Sequence, residues 1–402
     1  MREAYIVNSV RTPGCRRARG AFASTRPEDL LKTALNGLMD RTDGVEKKDI
    51  EDIMVGCAFP EAEQGLNIGR IIAQMTGFPD ETCGATINRF CSSGLEAIAL
   101  QAMRIMVGWC DVAIGGGLES MSIVPMGGNL PRPHPEWTKE NPDVYISMGM
   151  TAENVANRYK VTREMQDEFA YHSQMKAAAA QKEGRFKEII PTEAVRFVEK
   201  NGITVKETFV QDFDDGVRAD TTIEGLAKLR PAFAALGSVT AGNASQTTDG
   251  AAATLLMSGD AVKKYGVKPI AKLKCYTVAG CRADEMGVGP AYAIPKLLSM
   301  TGMKIEDIDL FEVNEAFASQ AIYSLQQLGL YENRKLWASD SDERIINVNG
   351  GAIALGHPLG CTGAKLCSQL MTEMQARGAR YGIESMCIGG GMGAAALFEL
   401  CD

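Results

Sequence analysis

The sequence predicts an α/β protein with a mainly buried sheet, organised as two similar halves around an inserted segment. Short apolar runs alternate with longer helical patterns along the 402 residues, which is typical of strands connected through helices. Three stretches near the start recur in pattern and order near the end, which indicates two halves built on one plan. The recurring pairs are 50–56 with 308–314, 84–88 with 344–349, and 112–117 with 386–391.

The predicted elements of the two halves follow from these apolar runs. In the helix predicted at 92–106, only Glu96, Gln101 and Arg104 are strongly polar, so most of its surface is expected to be buried. The predicted strands are 4–9, 52–57, 85–88, 112–115, 271–277, 310–313, 345–348 and 386–388.

The middle of the chain is denser in charge and reads as an excursion from the first half. A helix is predicted from Thr162 to near Gly184. The pair Asn201-Gly202 predicts the type I′ turn of a hairpin with strands at 194–199 and 203–209. We therefore predict three parts: an N-terminal half formed by 1–119 with 250–271, an inserted loop domain at 120–249, and a C-terminal half at 272–402.

Composition limits the classes of function. The net charge of −8 argues against a general nucleic-acid or anionic-membrane surface, although a local basic patch would allow a polyanionic ligand. The 11 cysteines lack disulfide or zinc-site spacing, so free thiols in a reducing cytosol and no metal site are expected. We expect no membrane span, since no stretch of about 18 residues is apolar enough. The chain ends carry no export, peroxisomal or ER signal, so the expected location is cytoplasmic.

Cys91 is the candidate nucleophile. It follows a predicted strand and opens the buried helix, with the small residues Ser92, Ser93 and Gly94 behind it. A helix N-terminus stabilises a thiolate, and the N–H of Cys91 is placed to serve an oxyanion. The alternative reading, a small buried hydrophobic residue, suits most of the other cysteines.

His357 is the candidate base. It lies in a glycine-rich loop between a strand and a helix, where a structural histidine would find few packing partners. His172 falls at helical spacing among apolar residues and is expected in the core or at its rim. His134 lies in a proline-rich loop and is expected to be solvated.

Cys387 ends a predicted strand and precedes the glycines at 389–391. Such glycines expose backbone N–H groups, so this thiol suggests an acid/base group beside an oxyanion hole. Asn314 also follows a strand. It is a candidate helix N-cap, and its amide could equally hold a catalytic water.

The sequence resembles the thiolase family from its first predicted strand to Glu399. The resemblance implies a thiolase-like fold, in which five-stranded mixed sheets of two βαβ-type halves form a layered α/β/α/β/α core. Four blocks match the family's signatures and two more agree in the insertion. The blocks are 88–94, 314–318, 349–363 and 387–393, with 227–233 and 237–245 in the insertion.

The resemblance also implies Claisen chemistry on coenzyme A thioesters, with CoA and acyl-CoA as substrates and no cofactor. Cys91, activated by His357, would attack the keto carbon of a 3-ketoacyl-CoA. Acetyl-CoA would leave as an enolate protonated by Cys387, which then deprotonates the CoA that takes the acyl group. One oxyanion hole would be His357 with a water on Asn314, and the other the N–H groups of Cys91 and Gly389.

The implied CoA site lies mainly on the insertion. Arg218 would contact the nucleotide end, and Lys228 and Arg230 would complete a basic patch for the phosphates, with scattered surface charge as the alternative for the latter two. The other residues implied to bind CoA or the acyl group are Leu229, Phe233, Ala241, Ser245, Met148, Ala316 and Phe317.

Ser147 favours one branch of the family. Short-chain biosynthetic thiolases typically carry a histidine there, so Ser147 favours degradative 3-ketoacyl-CoA thiolysis in fatty-acid β-oxidation. Acetoacetyl-CoA synthesis stays open as the alternative. A non-catalytic CoA- or lipid-binding scaffold is disfavoured, because Cys91, His357 and Cys387 are all present. The resemblance implies a homodimer or homotetramer and leaves a β-oxidation multienzyme partner open.

Overall fold

A large mixed sheet runs through both halves of the chain in the computed structural model, which describes residues 2–401. The strands are β1 (Ala4–Arg11), β2 (Cys15–Arg16), β3 (Asp52–Gly56), β4 (Cys83–Ile87), β5 (Val112–Ser120), β6 (Thr192–Lys200), β7 (Ile203–Gln211), β8 (Thr248–Ser258), β9 (Ala271–Gly280), β10 (Leu310–Val313), β11 (Tyr381–Ile388) and β12 (Met392–Leu400). The helices are α1 (Pro27–Asp40), α2 (Ile68–Met75), α3 (Ser93–Met106), α4 (Pro135–Glu140), α5 (Met148–Tyr159), α6 (Arg163–Lys182), α7 (Ile223–Ala227), α8 (Gly259–Tyr265), α9 (Gly289–Thr301), α10 (Ala318–Gln327), α11 (Ala352–Leu355) and α12 (Leu359–Arg377).

The sheet order is β10-β11-β12-β9-β1-β8-β5-β3-β4, with β2 paired to β8. Parallel pairs occur where helices connect the strands, at β3 with β4 and β5 and at β10 with β11, and the other neighbours are antiparallel. The two halves meet at β1 and β9, where Tyr5 pairs with Lys272 and Ile6 with Ala271.

Apolar side chains fill three layers around this sheet. A central cluster packs α3 and α12 together with strand residues from both halves. Outer clusters pack α1 and α2 against the first half, and α9 and α10 against the second. The predicted α/β class and its helix–sheet layering are therefore confirmed, whereas the boundaries of the three predicted parts stay a prediction.

One predicted strand, 345–348, is wrong. Ile346 makes only an isolated parallel bridge to Phe311. The chain then turns, because Asn347 adopts a left-handed conformation with φ of 44°. The side chain of Asn347 takes over the pairing, since its amide nitrogen donates to the Val313 carbonyl and its oxygen accepts the Val313 N–H, both at 2.8 Å.

The predicted helices and hairpin are confirmed. Helix α3 is buried along most of its length, as its sequence predicts. Strands β6 and β7 form the hairpin, and Asn201 and Gly202 have the positive φ values of 52° and 77° that a type I′ turn requires. The Thr162 hydroxyl accepts the Met165 N–H at 3.3 Å and caps α6.

Among residues 2–401, no helix is both long and apolar enough to cross a membrane.

The two non-catalytic histidines lie where the sequence predicts. His172 is buried, with Nδ1 2.7 Å from the Ser339 hydroxyl and Nε2 2.7 Å from the Arg334 guanidinium. Burial, followed by the charge of Arg334, lowers the pKa of His172 to about 4. His134 is exposed, and its Nδ1 accepts the Trp137 N–H at 3.3 Å.

Candidate active site

Cys91 sits in a strained turn between β4 and α3. The preceding residue, Phe90, has φ of +43°, which is unusual for an aromatic residue and typical of functional turns. Neighbouring side chains hold this turn. The Asn88 Oδ1 accepts the Phe90 N–H at 2.8 Å, and the Ser93 hydroxyl accepts the Arg89 N–H at 2.8 Å and donates to the Phe90 carbonyl at 2.7 Å. Residues of the predicted 88–94 block therefore fix the position of the thiol.

The Cys91 thiol is 4% exposed and lies in a small apolar cluster with Ala58, Met121 and Leu359. Burial raises its pKa to about 12, while hydrogen bonds from the backbone N–H groups of Gly389 and of Cys91 itself lower it. The thiol is therefore protonated at rest and needs a base. The same two N–H groups are the donors that the family resemblance implies for an oxyanion hole, and a side chain on Gly389 would lie 3.5 Å from the Phe90 ring, next to Cys91.

His357 lies between α11 and α12 and is 4% exposed. Its backbone N–H donates to the Gln246 carbonyl at 3.0 Å and to the Thr248 hydroxyl at 3.1 Å. The preceding Gly356 has φ of +82°, and a side-chain carbon there would lie 2.3 Å from the Thr248 Oγ1. Only glycine therefore fits beside this anchor, which explains part of the glycine-rich loop.

The hydrogen bonds of Thr362 select the tautomer of His357. The Thr362 hydroxyl donates to the Pro358 carbonyl at 2.9 Å, and it lies 2.5 Å from the His357 Nδ1. Because a hydroxyl has one hydrogen, it must accept from an Nδ1–H, which leaves the lone pair on Nε2. Burial, followed by the charge of Lys365, lowers the pKa of His357 to about 3, so the imidazole is neutral and Nε2 can accept a proton.

Removing the Thr362 hydroxyl is expected to slow catalysis without moving the chain. In Thr362→Val, Nδ1–H loses its acceptor, and one lost hydrogen bond of about 1.4 kcal/mol corresponds to roughly tenfold in rate. We expect kcat to fall at least tenfold with KM little changed, whereas Thr362→Ser, which keeps the hydroxyl, should restore most of the rate. Steady-state kinetics of both variants check this, and equal losses would contradict the tautomer role.

Asn314 lies at the end of β10, and its Nδ2 is 3.4 Å from the His357 Nε2. Its Oδ1 is buried without a hydrogen-bond partner among residues 2–401, so it can accept from a ligand or a water. The N-cap prediction for Asn314 is wrong. Helix α10 begins only at Ala318, because the Asn314 N–H instead donates to the Ser385 carbonyl at 2.9 Å and extends the strand pairing.

Cys387 is fully buried at the end of β11. It packs in one cluster with Met286, Ala316 and Phe317, with Met148 against them. Burial, followed by the proximity of Cys91, raises the pKa of Cys387 well above its ordinary value. The two thiols predicted to act in succession are thus electrostatic neighbours, although they lie 296 positions apart in the sequence.

The implied CoA and acyl residues fall into two groups. Several converge near Cys387: Phe233 packs edge-on against Phe317 with ring centroids 5.9 Å apart, and the Ser245 N–H donates to the Ala316 carbonyl at 2.9 Å. Leu229 lies against Gly242, next to the exposed Ala241. The three basic residues are exposed on the insertion, and the roles of all these residues stay predictions. The basic residues are Arg218, Lys228 and Arg230.

Glu119 organises the site and was missed by sequence reasoning. It is fully buried at the end region of β5, and its carboxylate accepts the N–H groups of Ala58 and Gly360 and the Gln64 side-chain amide, all at 2.8 Å. It therefore ties the wall of the Cys91 pocket to the start of α12. In the sequence, Glu119 is a single charged residue that follows a glycine-rich strand, and no local pattern identifies it as part of a site.

A second buried carboxylate, Glu315, supports the loop before His357. It accepts the Ser173 hydroxyl at 2.5 Å, the Asn347 amide at 2.8 Å and the Ile353 N–H at 3.3 Å. A side chain on Gly351 would collide with this carboxylate at 2.2 Å.

Residues 2–401 contain no group of three or more His, Cys, Asp or Glu side chains that could hold a metal ion.

Comparison with known proteins decides the family. Residues 4–260 match the thiolase N-terminal domain, and residues 267–400 match the thiolase C-terminal domain. The chain belongs to the thiolase family. It is therefore an acyltransferase, and the resemblance drawn from the sequence is confirmed.

Individual thiolases are similar over the whole chain. The 3-ketoacyl-CoA thiolase of Bacillus subtilis (strain 168) is 48% identical over 403 residues, covering 100% of both chains. The peroxisomal 3-ketoacyl-CoA thiolase A of Mus musculus is 44% identical over 401 residues, covering 99% of this chain and 91% of its own.

Two solved thiolase structures share the fold. The Bacillus anthracis acetyl-CoA acetyltransferase has a TM-score of 0.86 and 38% identity, covering 100% of this chain and 99% of its own. The dimeric peroxisomal thiolase of Saccharomyces cerevisiae has a TM-score of 0.86 and 36% identity, covering 99% of this chain and 97% of its own.

Proposed function

We propose that this protein cleaves 3-ketoacyl-CoA with CoA, giving acetyl-CoA and an acyl-CoA shortened by two carbons, in the degradation of fatty acids. The observation that carries the proposal is that a buried cysteine in a strained turn before α3, Cys91, lies close enough to a second buried thiol, Cys387, for each to affect the other's environment. Similarity to 3-ketoacyl-CoA thiolases over the full chain supports the substrate class. CoA and acyl-CoA are substrates, and no cofactor takes part.

The first half of the reaction forms an acyl-enzyme. Nε2 of His357 takes the proton from the Cys91 thiol, and the thiolate adds to the keto carbon at C3. The C2–C3 bond then breaks, its electron pair passes to the thioester as an enolate, and the acyl group stays on Cys91. The enolate oxygen faces His357 and Asn314, while the acyl oxygen lies at the N–H groups of Cys91 and Gly389. Preorganised donors of this kind are commonly worth about 3–4 kcal/mol each.

The second half returns the enzyme to its starting state. The Cys387 thiol gives its proton to C2 of the enolate, and acetyl-CoA leaves. The resulting Cys387 thiolate takes the proton of an incoming CoA thiol, whose sulfur attacks the acyl carbon. Cys91 leaves as a thiolate and recovers its proton from His357. Every proton lost in one half is regained in the other, so the site needs no external acid or base.

Acetoacetyl-CoA synthesis is the second candidate function. One structural relative is an acetyl-CoA acetyltransferase, and the same thiols would serve the condensation direction. Ser147 favours degradation, because it immediately precedes Met148, which lies beside Cys387 and Gly389. A small residue at this point leaves room for a longer acyl chain.

The test is the rate of CoA-dependent thiolysis across 3-ketoacyl-CoAs of increasing chain length. We expect kcat/KM to hold or rise from acetoacetyl-CoA to longer chains, because the side chains clustered around Cys387 are apolar. Ser147→His is a matched variant, and it should reduce turnover of long chains more than that of acetoacetyl-CoA. Turnover confined to acetoacetyl-CoA in the unmodified protein would establish the second candidate instead.

The proposal includes an oligomeric state and a cellular location for the protein. The similar yeast enzyme is described as dimeric, which supports a homodimer here, with a homotetramer as the alternative. We place the activity in the cytoplasm, consistent with the bacterial relative, while other relatives are named as peroxisomal. A β-oxidation multienzyme partner stays a prediction. The number of subunits is measured by analytical ultracentrifugation of the purified protein.

A further inference from the structure

Two buried carboxyl groups that the mechanism does not use lie side by side in the second half. Glu312 on β10 and Glu384 on β11 are register partners in a parallel strand pair, and they are 4% and 0% exposed. Both carboxyl oxygens of Glu384 and the Oε2 of Glu312 are buried without a hydrogen-bond partner among residues 2–401. A carboxylate in such a place is strongly disfavoured against its protonated form.

The neighbouring strands supply no compensating charge. Alternate residues on the two strands, Leu310 and Met386, belong to the central apolar cluster, so both carboxyl groups face the layer that contains α12. On β12, the residue opposite Glu384 is Ala396. The titratable groups that act on the pair from other elements are Lys176 on α6, Lys365, Cys367 and Glu373 on α12, and Glu315 after β10.

These surroundings keep the pair protonated near neutral pH. Burial, followed by the charge of Glu315, raises the pKa of Glu312 to about 8. Burial, followed by Glu312, raises the pKa of Glu384 well above its ordinary value. Lys176 offers limited help, because burial lowers its own pKa to about 8 and its ammonium donates to the Ile346 carbonyl at 3.2 Å.

The same two strands position two active-site residues. Asn314 follows Glu312 by two residues, and Cys387 follows Glu384 by three. The Asn314 N–H donates to the Ser385 carbonyl at 2.9 Å, so the strand pairing continues up to the site. Like charges directly opposite each other destabilise a strand pair, and Glu312 lies only two residues before Asn314 on the same strand.

We propose that Glu312 and Glu384 are a proton-holding pair: β10 and β11 keep Asn314 and Cys387 in position only while this pair retains its protons, and loss of those protons sets the alkaline limit of activity. Both are positioning residues, since neither reaches the substrate. The activity part rests on the proposed thiolysis, whereas the stability part does not.

The first experiment compares unfolding of the wild type and Glu384→Gln in urea from pH 5 to pH 9. A carboxyl whose pKa is raised by folding stabilises the protein fully below its ordinary pKa of 4.5, and that stability is lost as pH rises through the folded pKa. The neutral glutamine removes this dependence. The stability of the variant relative to the wild type should therefore increase as pH rises above 4.5. The unfolding equilibrium constants should diverge by about tenfold per pH unit for as long as Glu384 keeps its proton in the folded state.

Glu399→Gln is the matched control. Glu399 lies on the adjacent β12 and is ion-paired with Lys274 at 3.0 Å and Arg380 at 3.3 Å. Its pKa is lowered, chiefly by its hydrogen bond to Lys274, so its removal should leave a curve parallel to the wild type above pH 6. Parallel curves for Glu384→Gln and the wild type would overturn the claim that the pair holds its protons.

The second experiment measures kcat for 3-ketoacyl-CoA cleavage against pH in the same proteins. The alkaline limb of Glu384→Gln should move to higher pH by at least half a unit, with KM unchanged, while Glu399→Gln follows the wild type. If the alkaline limb of Glu384→Gln coincides with that of the wild type while their stability curves diverge, the positioning role is overturned. If no protein cleaves the substrate at any pH, the proposed function fails, and the unfolding curves still decide whether the pair holds its protons.

Discussion

Replacing Cys91 with alanine is expected to abolish acyl-enzyme formation and to lower CoA-dependent cleavage by roughly 10³-fold or more. The loss should be this large because the reaction then has no nucleophile, and no acyl group forms for the N–H groups of Cys91 and Gly389 to stabilise. The folded state should persist, since the thiol occupies a small apolar cluster that a methyl group can partly fill. Stopped-time assays of acetyl-CoA release measure the effect.

A cysteine elsewhere provides the control for Cys91→Ala. Cys83 is exposed at the start of the same strand, β4, that leads to the nucleophile. Cys83→Ala should therefore keep wild-type turnover and acylation. Turnover retained in Cys91→Ala would remove Cys91 from the mechanism, and equal losses in both variants would point to damage of β4 instead.

Replacing Cys387 with alanine is expected to separate the two halves of the reaction. An activated acyl thioester that needs no carbon–carbon cleavage should still acylate Cys91, because the His357 base and the N–H donors remain. Cleavage of a 3-ketoacyl-CoA should fall by roughly 10²–10⁴-fold, the usual contribution of a general acid, because the enolate then lacks its proton donor. Rapid-quench acylation and steady-state cleavage are measured on the same preparation.

Cys281 supplies the control for Cys387→Ala. It is partly exposed, lies close enough to Cys387 to contribute to the raised pKa of that thiol, and has no part in the predicted reaction. Cys281→Ala should leave both measured steps within a few-fold of the wild type. Cleavage that survives in Cys387→Ala would contradict the acid/base assignment, and loss of acylation there would show that the substitution disturbs the Cys91 pocket.

The reactive groups could be predicted from the sequence because each lies at a junction of elements. Cys91 follows a strand and opens a helix, His357 lies in a glycine-rich loop before α12, and Cys387 ends β11 before three glycines. Their chemistry depends on backbone N–H groups and on burial, and both follow from such junctions. Local pattern therefore sufficed for these residues.

The supporting residues could not be predicted, because their roles depend on exact side-chain geometry that the sequence pattern does not carry. Thr362 fixes the His357 tautomer because the first turn of α12 brings its hydroxyl to both the Pro358 carbonyl and the His357 Nδ1. Glu119 joins two segments that are 302 positions apart, at Ala58 after β3 and at Gly360 at the start of α12. Neither position carries a local signal that distinguishes it from an ordinary polar residue.

The errors in the fold have similar causes. The run at 345–348 has the composition of a strand, but the side chain of Asn347 replaces the backbone pairing that a strand would need. Strand β12 was missed because Gly393, its second residue, is followed by three alanines, and these residues have low strand propensity. It forms because β9 and β11 pair on both of its sides and bury it.

The most direct test of the account is the intact mass of the protein after brief mixing with a medium-chain 3-ketoacyl-CoA in the absence of free CoA. We expect release of acetyl-CoA and a mass increase equal to the shortened acyl group, located on the peptide that contains Cys91 and discharged when CoA is added. No adduct, or an adduct on Cys387 that persists in Cys91→Ala, would contradict the proposed order of the two thiols.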